Sequence, residues 1–397
     1  MSEIRSGSEE PDVTTFELTS EQDSIRQMAR DFAEREIAPH AADWDREERF
    51  PAEVLEKMKP LGFLGAPIPE EYGGMGVDAV SYACIIEEIA RADSSVRSII
   101  SVNCSLVGLT ILKWGTEEQK KSWLPRIASG ESLGCFGLTE PEAGSDPGSL
   151  KARAVRDGDD WVVNGSKMFI TNGTVAGVAL IFANVDPDKG AKGVTCFIVP
   201  TDTPGFTANE IHGKLGLRAS STAELVLTDV RVPHDAMLGG IGDGMKIALS
   251  ALDNGRVGLA ASCVGLAQAS LDAALRYARE RKQFGKPIAG FQLVQEMLAE
   301  MFVEIEAARL LTRRAAAKKD AGERNTVEAS VAKFYASEAA VKCTNLAIQV
   351  HGGYGYIDEY PVGRYLRDAR VTTLYEGTSQ IQKLLFGRHL TGENAFV

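Results

Sequence analysis

The sequence predicts an α+β protein in three successive parts: a helical domain over residues 16–134, a β barrel or sandwich over 135–240, and a helical bundle over 241–397. Three observations predict it. Apolar residues recur at helical spacing in the first and last parts, and the middle part breaks into short β-rich runs separated by Gly, Pro and Asp. A chain of 397 residues also exceeds the size at which one hydrophobic core usually stops growing, so several packed units are expected.

The elements follow in order. Residues 1–15 are polar and acidic, with Glu3, Glu9, Glu10 and Asp12, and predict a disordered or extended start without the basic and apolar stretches of a secretory signal. Thr19 and Gln22 form a capping-box pattern ahead of Ile25, Met28, Ala29 and Phe32, which share a helical face. Thr116 and Gln119 repeat that pattern, and residues 80–89 suit a helix. In the middle part, WVVNGSKMFITNG predicts a hairpin turning at Asn164 and Gly165, because that pair adopts positive φ at little cost. Strands are expected over 178–183, 194–199 and 224–227. The helical period returns over 245–281, 291–320 and 327–350, broken by Phe284 to Pro287, by Gly322, and by Gly352 and Gly353.

Composition narrows the function. A net charge of −12 argues against a broad basic surface for nucleic acid or an anionic membrane, so a phosphate-bearing ligand must be met locally. The six cysteines are scattered without a CxxC pair, which predicts neither a disulfide framework nor a zinc site and fits a reducing compartment. None of the five histidines stands four residues from another, so no metal is expected. No run approaches eighteen consecutive apolar residues, which predicts no transmembrane helix and a cytoplasmic protein.

Four segments could carry chemistry. Glu376 lies between Tyr375 and Gly377, just before a helix that Thr378 can cap, where apolar neighbours would raise its pKa and suit it to act as a general base. Local sequence leaves open the commoner alternative, a solvated loop glutamate. The polar loop from Phe136 to Asp146 offers Thr139 to a heterocycle edge and the amides near Gly144 and Ser145 to a pyrophosphate. Arg281 and Phe284 end a helix, where a cation is favoured in any case, and could meet a phosphate and a purine ring. Gly352 and Gly353 follow Gln349 and His351 at a helix end, as ordinary termination or as a close-approach site for a flat ligand.

Taken together and in this order, FGLTEPEAGSD, MFITNG, RKQFGKPI, QVHGGYGYIDEYP and LYEGTSQIQ resemble the characteristic segments of the acyl-CoA dehydrogenase family, over nearly the whole chain from about residue 16. The resemblance implies an N-terminal helical domain, a middle β domain and a C-terminal four-helix bundle. It also implies FAD, a homotetramer, and electron-transfer flavoprotein as acceptor. For the cofactor, Phe136, Leu138, Thr139 and Ser145 match the flavin and pyrophosphate loop, and Phe169, Ile170 and Thr171 the strand beside the isoalloxazine. Arg281, Phe284, Gln292, Gln349, Gly352 and Gly353 match the part that holds the adenine dinucleotide, largely across a subunit boundary, and Thr378 and Gln380 complete the flavin site.

For the substrate, Ser145, Asp253, Arg256, Gly377 and Arg388 match positions that meet the CoA thioester and its tail, with Tyr375 walling the acyl pocket. The implied reaction is α,β-dehydrogenation to the trans-2-enoyl-CoA. Glu376 is its base and flavin N5 its hydride acceptor, and the enolate is held by the Glu376 N–H and a ribityl hydroxyl. Some members carry the base one residue before the position of Arg256, but here that residue is Gly255. Two alternatives share the fold: a flavin oxidase or monooxygenase, and a glutaryl-CoA-type decarboxylating dehydrogenase. The second is suggested by Arg97 within Ser94 to Ser98, and weakened by Ala90 where that type has an acidic residue.

Overall fold

In the computed structural model, which describes residues 17–396, the first helix, Ser20–Phe32, begins where its cap implies. The expectation for residues 1–15 lies outside the described residues. Thr19 Oγ1 accepts the Gln22 N–H at 3.2 Å and the Gln22 side chain accepts the Thr19 N–H at 3.0 Å, so two donors that a helix start leaves unpaired are satisfied. The same reciprocal pair at Thr116 and Gln119 opens Glu117–Ala128. Between them, Asp78 caps Ala79–Ala92 and Asp93 caps Ser94–Ser101, which runs through the π-helical Val102–Gly108 into Leu109–Trp114.

Two helical stretches, Ser94–Trp114 and Gly244–Glu280, are long and apolar enough to cross a membrane, which corrects the expectation from run length. Scattered Ser, Asn and Gly break the apolar runs without lowering the mean hydropathy far. In both, 83% of the apolar window is buried inside the protein, as in core helices.

The middle part is one sheet of eight strands among the described residues: Gly134–Gly137 (β1), Arg153–Asp157 (β2), Asp160–Thr171 (β3), Val178–Asn184 (β4), Val194–Pro200 (β5), Phe206–Glu210 (β6), Thr222–Pro233 (β7) and Met237–Leu238 (β8). The order is β6-β7-β3-β2-β4-β5-β8, with β1 parallel to β4. Every residue of β4 is buried. Its two-residue period sends Val178, Leu180 and Phe182 into a core shared with helices, and Ala179, Ile181 and Ala183 into the core of the sheet. β5 divides its side chains likewise, Cys196 and Ile198 against Phe197 and Val199.

Asn164 and Gly165 do not turn the chain. They lie within β3 at a register shift, and the hairpin to β2 closes instead between Asp157 and Asp160 through Gly158 at φ 64°. Asn164 exchanges hydrogen bonds of 3.0 and 2.8 Å with Asp229, and a Cβ on Gly165 would stand 2.7 Å from Ala152 Cα. The pair therefore marks a bulge with a close backbone approach. A two-residue turn with positive φ at both positions occurs at Phe284 (51°) and Gly285 (81°), where Lys282–Gln283 pairs with Lys286–Pro287.

The C-terminal part packs Gly244–Glu280, Gln292–Asp320 and Thr326–His351 around an alanine-rich core that includes Ala260, Ala267, Ala308, Ala336 and Ala340. Small residues let the helices approach closely: a Cβ on Gly265 would stand 2.0 Å from Glu87 O on Ala79–Ala92. Val362–Thr372 and Ser379–Thr391 complete it. Polar ties join the three parts. Arg364 meets Asp93 at 2.7 Å, Arg367 pairs with Asp45, and the Leu217 N–H donates to Asp368 at 2.7 Å.

Candidate active site

The link between Val362–Thr372 and Ser379–Thr391 carries Tyr375, Glu376, Gly377 and Thr378. Thr378 Oγ1 accepts the Ile381 N–H at 3.2 Å and caps the second helix. Reversing direction here requires positive φ at two successive residues, Glu376 (54°) and Gly377 (89°). Glycine adopts this freely, whereas Glu376 is strained and needs its surroundings to hold it.

Three buried donors do so. Gln382 Nε2 donates to Glu376 O (3.0 Å) and Gly377 O (3.1 Å), Lys333 Nζ to Gly377 O (2.8 Å), and Arg256 Nε approaches Glu376 O at 3.4 Å. Gln382, Lys333 and Arg256 are 0, 0 and 4% exposed, so water does not compete for these carbonyls. Arg256 is aimed by Asp253 at 2.7 Å, whose other oxygen accepts the Thr326 hydroxyl at 2.9 Å. Burial pulls the Lys333 ammonium down to about 8.

This framework turns the Glu376 carboxylate inward. Oε2 is closed off from solvent and has no hydrogen-bond partner among the described residues, and burial pushes the carboxyl pKa up against the pull of Arg97, Lys333 and Arg256. An unpaired buried carboxylate oxygen costs stability, which points to chemistry rather than packing. Gly255 makes room for it: a Cβ there would stand 2.5 Å from Oε2 and 3.0 Å from Leu106 Cδ2.

The carboxylate faces a cavity of about 120 Å³ lined by Arg97, Ser98, Ser101, Val102, Leu106, Phe136, Leu138, Thr139, Phe169, Ile170, Thr171, Leu252 and Tyr375. The expected residues Arg97, Phe136, Leu138, Thr139, Phe169, Ile170, Thr171, Tyr375 and Glu376 are thus brought together from all three parts of the chain. Phe169 presents its ring at φ 62° and is 66% exposed, an apolar face without cover in the single chain. The loop opposite is fixed from beneath. The Met168 N–H donates to Thr139 O at 2.8 Å, and the fully buried Lys167 donates to Glu140 (2.7 Å), Phe182 O (2.6 Å) and Leu138 O (3.4 Å).

Arg97 is 2% exposed and donates through Nη2 to the Tyr375 hydroxyl at 3.0 Å, while its Nε and the nearby Ser101 Oγ have no partner among the described residues. Among the described residues no carboxylate pairs with it.

Other expected residues lie elsewhere. Arg281, Gly352 and Gly353 line a second groove with Tyr277, His351 and Tyr354, and the Arg281 guanidinium stands 5.4 Å over the Tyr354 ring. Phe284 is 94% exposed, and Gln292 and Gln349 are exposed beside the same end of the bundle. Ser145 and Gln380 are exposed and do not line the Glu376 cavity. Arg388 lines a third groove with Lys318, Arg324 and His389. His351 is a core residue, stacked on Tyr277 at 4.4 Å between ring centres, with Nδ1 2.8 Å from Ala347 O.

Lys333, Gln382, Lys167 and Glu140 were not anticipated. Two carried a signal in the sequence. Lys333 stands four residues after Ala329 and three and seven before Ala336 and Ala340, within the buried stripe of its helix, and Lys167 occupies the inward register of Trp161 and Val163 on β3. A cation on an apolar face is a buried cation, and needs acceptors that local sequence does not name.

A strained, buried carboxylate opening on a cavity shared by a β sheet and a helical bundle defines an enzyme. Family models for the acyl-CoA dehydrogenase N-terminal, middle and C-terminal domains match residues 19–131, 135–230 and 242–391. A probable acyl-CoA dehydrogenase of Bacillus subtilis is 48% identical, over 94% of this chain and 99% of its own. The mitochondrial short-chain specific acyl-CoA dehydrogenase of Bos taurus is 47% identical, over 95% of this chain and 91% of its own. Among solved structures, the butyryl-CoA dehydrogenase of Megasphaera elsdenii superposes with a TM-score of 0.93 at 43% identity, covering 95% of this chain and 99% of that one. A glutaryl-CoA dehydrogenase of Mycobacterium smegmatis in complex with FADH2 gives 0.92 at 40%, covering 96% and 97%. A chain from work on the electron transferring flavoprotein of Acidaminococcus fermentans gives 0.94 at 43%, covering 96% and 100%. This chain belongs to the acyl-CoA dehydrogenase family and is an oxidoreductase of that class.

Proposed function

We propose that the protein oxidises an acyl-CoA thioester to the trans-2-enoyl-CoA with FAD as cofactor, and that Glu376 is the base. The observation that carries this reading is Glu376 at the wall of a cavity it shares with Phe136, Leu138, Phe169 and Ile170, with its Oε2 buried and unpaired among the described residues. The residues present fit a flavin: a flat apolar wall, the exposed ring of Phe169, and the hydroxyls of Thr139 and Thr171 for the polar edge of a heterocycle. When bound, FAD would supply the two-electron acceptor for the hydride of the β carbon.

The chain's own residues manage the proton. The Glu376 carboxylate accepts the α proton, and the desolvation that raises its pKa strengthens it as a base toward a weak carbon acid. The Glu376 N–H supports the thioester oxygen as charge develops there, a contribution typically worth about 3 kcal/mol in the transition state. Arg256 and Gln382 keep the turn in place while the carboxylate passes from charged to neutral. Ser145, Asp253, Gly377 and Arg388 serve the CoA moiety, and Thr378 and Gln380 the flavin.

Arg281, Phe284, Gln292, Gln349, Gly352 and Gly353 lie apart from the Glu376 cavity, which supports their serving the adenine dinucleotide of a neighbouring subunit in a homotetramer. The exposed apolar residues Leu293, Phe302, Val303 and Leu310 of Gln292–Asp320 suit such an assembly. Electrons pass on to electron-transfer flavoprotein. Removing the Arg256 guanidinium (Arg256→Ala) lowers kcat/KM about tenfold or more while flavin content stays near normal, because a charge-assisted support of the turn is lost. Steady-state kinetics beside the ratio of flavin to protein absorbance checks this.

A second reading is favoured by Arg97, a buried guanidinium whose side-chain hydrogen bond among the described residues is to the Tyr375 phenol at the wall of the acyl cavity. It would pair with an acyl chain ending in a carboxylate, as in glutaryl-CoA. Anaerobic bleaching of the flavin by straight, branched and dicarboxylic acyl-CoAs tests both readings. Bleaching by no thioester overturns the first. If Arg97→Met slows bleaching by butyryl-CoA and glutaryl-CoA equally, the second falls.

A further inference from the structure

We propose that Lys333 is a positioning residue for the base: its buried ammonium fixes the turn at Gly377 and keeps the Glu376 carboxylate ionised until substrate arrives. This inference rests on the role given to Glu376 above. Its geometric ground is a lysine with no exposure, in the alanine stripe of Thr326–His351, donating at 2.8 Å to the carbonyl next after the base. Burying an ammonium is expensive, and a neutral glutamine would supply the same hydrogen bond without that cost. The charge therefore has a use beyond the bond.

The groups around Glu376 indicate that use. Ser94–Ser101 contributes Arg97; Gly244–Glu280 contributes Arg256 with its partner Asp253, and Cys263; Thr326–His351 contributes Lys333, with Glu338 beside that lysine; Ala79–Ala92 contributes Tyr82; and Tyr375 adjoins in the chain. Burial pushes the Cys263 thiol up to about 11 and raises both tyrosines, so none of these three is charged near neutrality. Glu338 is engaged by the Ser379 hydroxyl at 2.5 Å. That leaves Arg97, Arg256 and Lys333 to offset the desolvation of the base. Arg97 meets the neutral Tyr375 hydroxyl and pulls hardest on the base, while Asp253 cancels part of the Arg256 charge. Lys333 adds its charge with Glu338 as a neighbour on its own helix, and of these cations it alone donates to Gly377 O among the described residues.

A nearby positive charge favours the carboxylate, so removing it raises the pKa of Glu376 and moves the acid limb of the rate toward higher pH. The test uses FAD-loaded protein and its Lys333→Gln and Lys333→Met variants, with anaerobic bleaching by butyryl-CoA followed across pH. Both variants should shift the acid limb up by about one unit, making bleaching about tenfold slower on the acid side. Gln, which can still donate to Gly377 O, should keep a plateau rate nearer the parent than Met does. A readout without turnover is the infrared band of the protonated carboxyl, assigned by its loss in Glu376→Gln, whose titration should shift by the same amount.

An acid limb and an infrared titration unmoved in both variants overturn the proposal, whatever happens to thermal stability. Should Met fail to fold, Gln alone decides. If the parent itself is not bleached, the reading of the active site fails instead, and the two failures are distinguishable.

Discussion

Glu376→Gln holoprotein stays yellow and binds acyl-CoA, yet its anaerobic bleaching by butyryl-CoA slows by about 10²- to 10⁴-fold, the usual span for loss of a general base. Glutamine keeps the size of the side chain, and the backbone acceptors that Gln382, Lys333 and Arg256 reach are the carbonyls of residues 376 and 377, untouched by the change. Only the proton acceptor goes. Removing the negative charge also ends the cost of desolvating it, so thermal stability should hold or rise, as expected of a residue kept for chemistry. Rapid-mixing absorbance, with a melting curve beside it, separates the outcomes. Bleaching within a few-fold of the parent would remove Glu376 from its role.

Gly255→Ala should be nearly as damaging, for a steric reason. Its new methyl would lie 2.5 Å from Glu376 Oε2, well inside contact distance. The carboxylate is the free end of a flexible side chain and yields first, so the fold survives and the base is displaced. A displacement of about 1 Å at a reacting group can cost about a hundredfold in rate, with little change in flavin content. The same closeness explains why a carboxylate could serve from either position but not from both at once: the two side chains compete for one space. An unchanged rate in Gly255→Ala would mean that the carboxylate works from another rotamer.

Much of this was legible in the sequence because it is local. Thr19 with Gln22, Thr116 with Gln119, and Thr378 announce helix starts through their own side chains, and the structure places Gly244–Glu280, Gln292–Asp320 and Thr326–His351 within a residue or two of their apolar periodicity. Asn164 and Gly165 misled because their tolerance for a turn is also tolerance for a bulge, and the strand β7, with Asp229 at its centre, decided between them. β7 itself runs past the expected 224–227: its alternation resumes at Val230 and Val232, shifted by one residue beyond Thr228 and Asp229. The motifs locate Glu376 in sequence but are silent about its supports. Lys333 is 43 residues away by number and Gln382 six, and the folded bundle brings both to the carbonyl of Gly377.

Strand β4 has a further consequence. Because one of its sides belongs to the helices and the other to the sheet, neither part can complete its interior alone, and a fragment cut near residue 134 or 240 would expose a continuous aliphatic ribbon. Such a fragment would be drawn to self-associate. β1 lies beside β4 and leads straight into Leu138 and Thr139, so the wall facing the carboxylate is set by a strand whose packing the whole chain must agree on. Lesions far from the cavity, on either side of that ribbon, should therefore be felt as a displaced cavity wall before they are felt as unfolding.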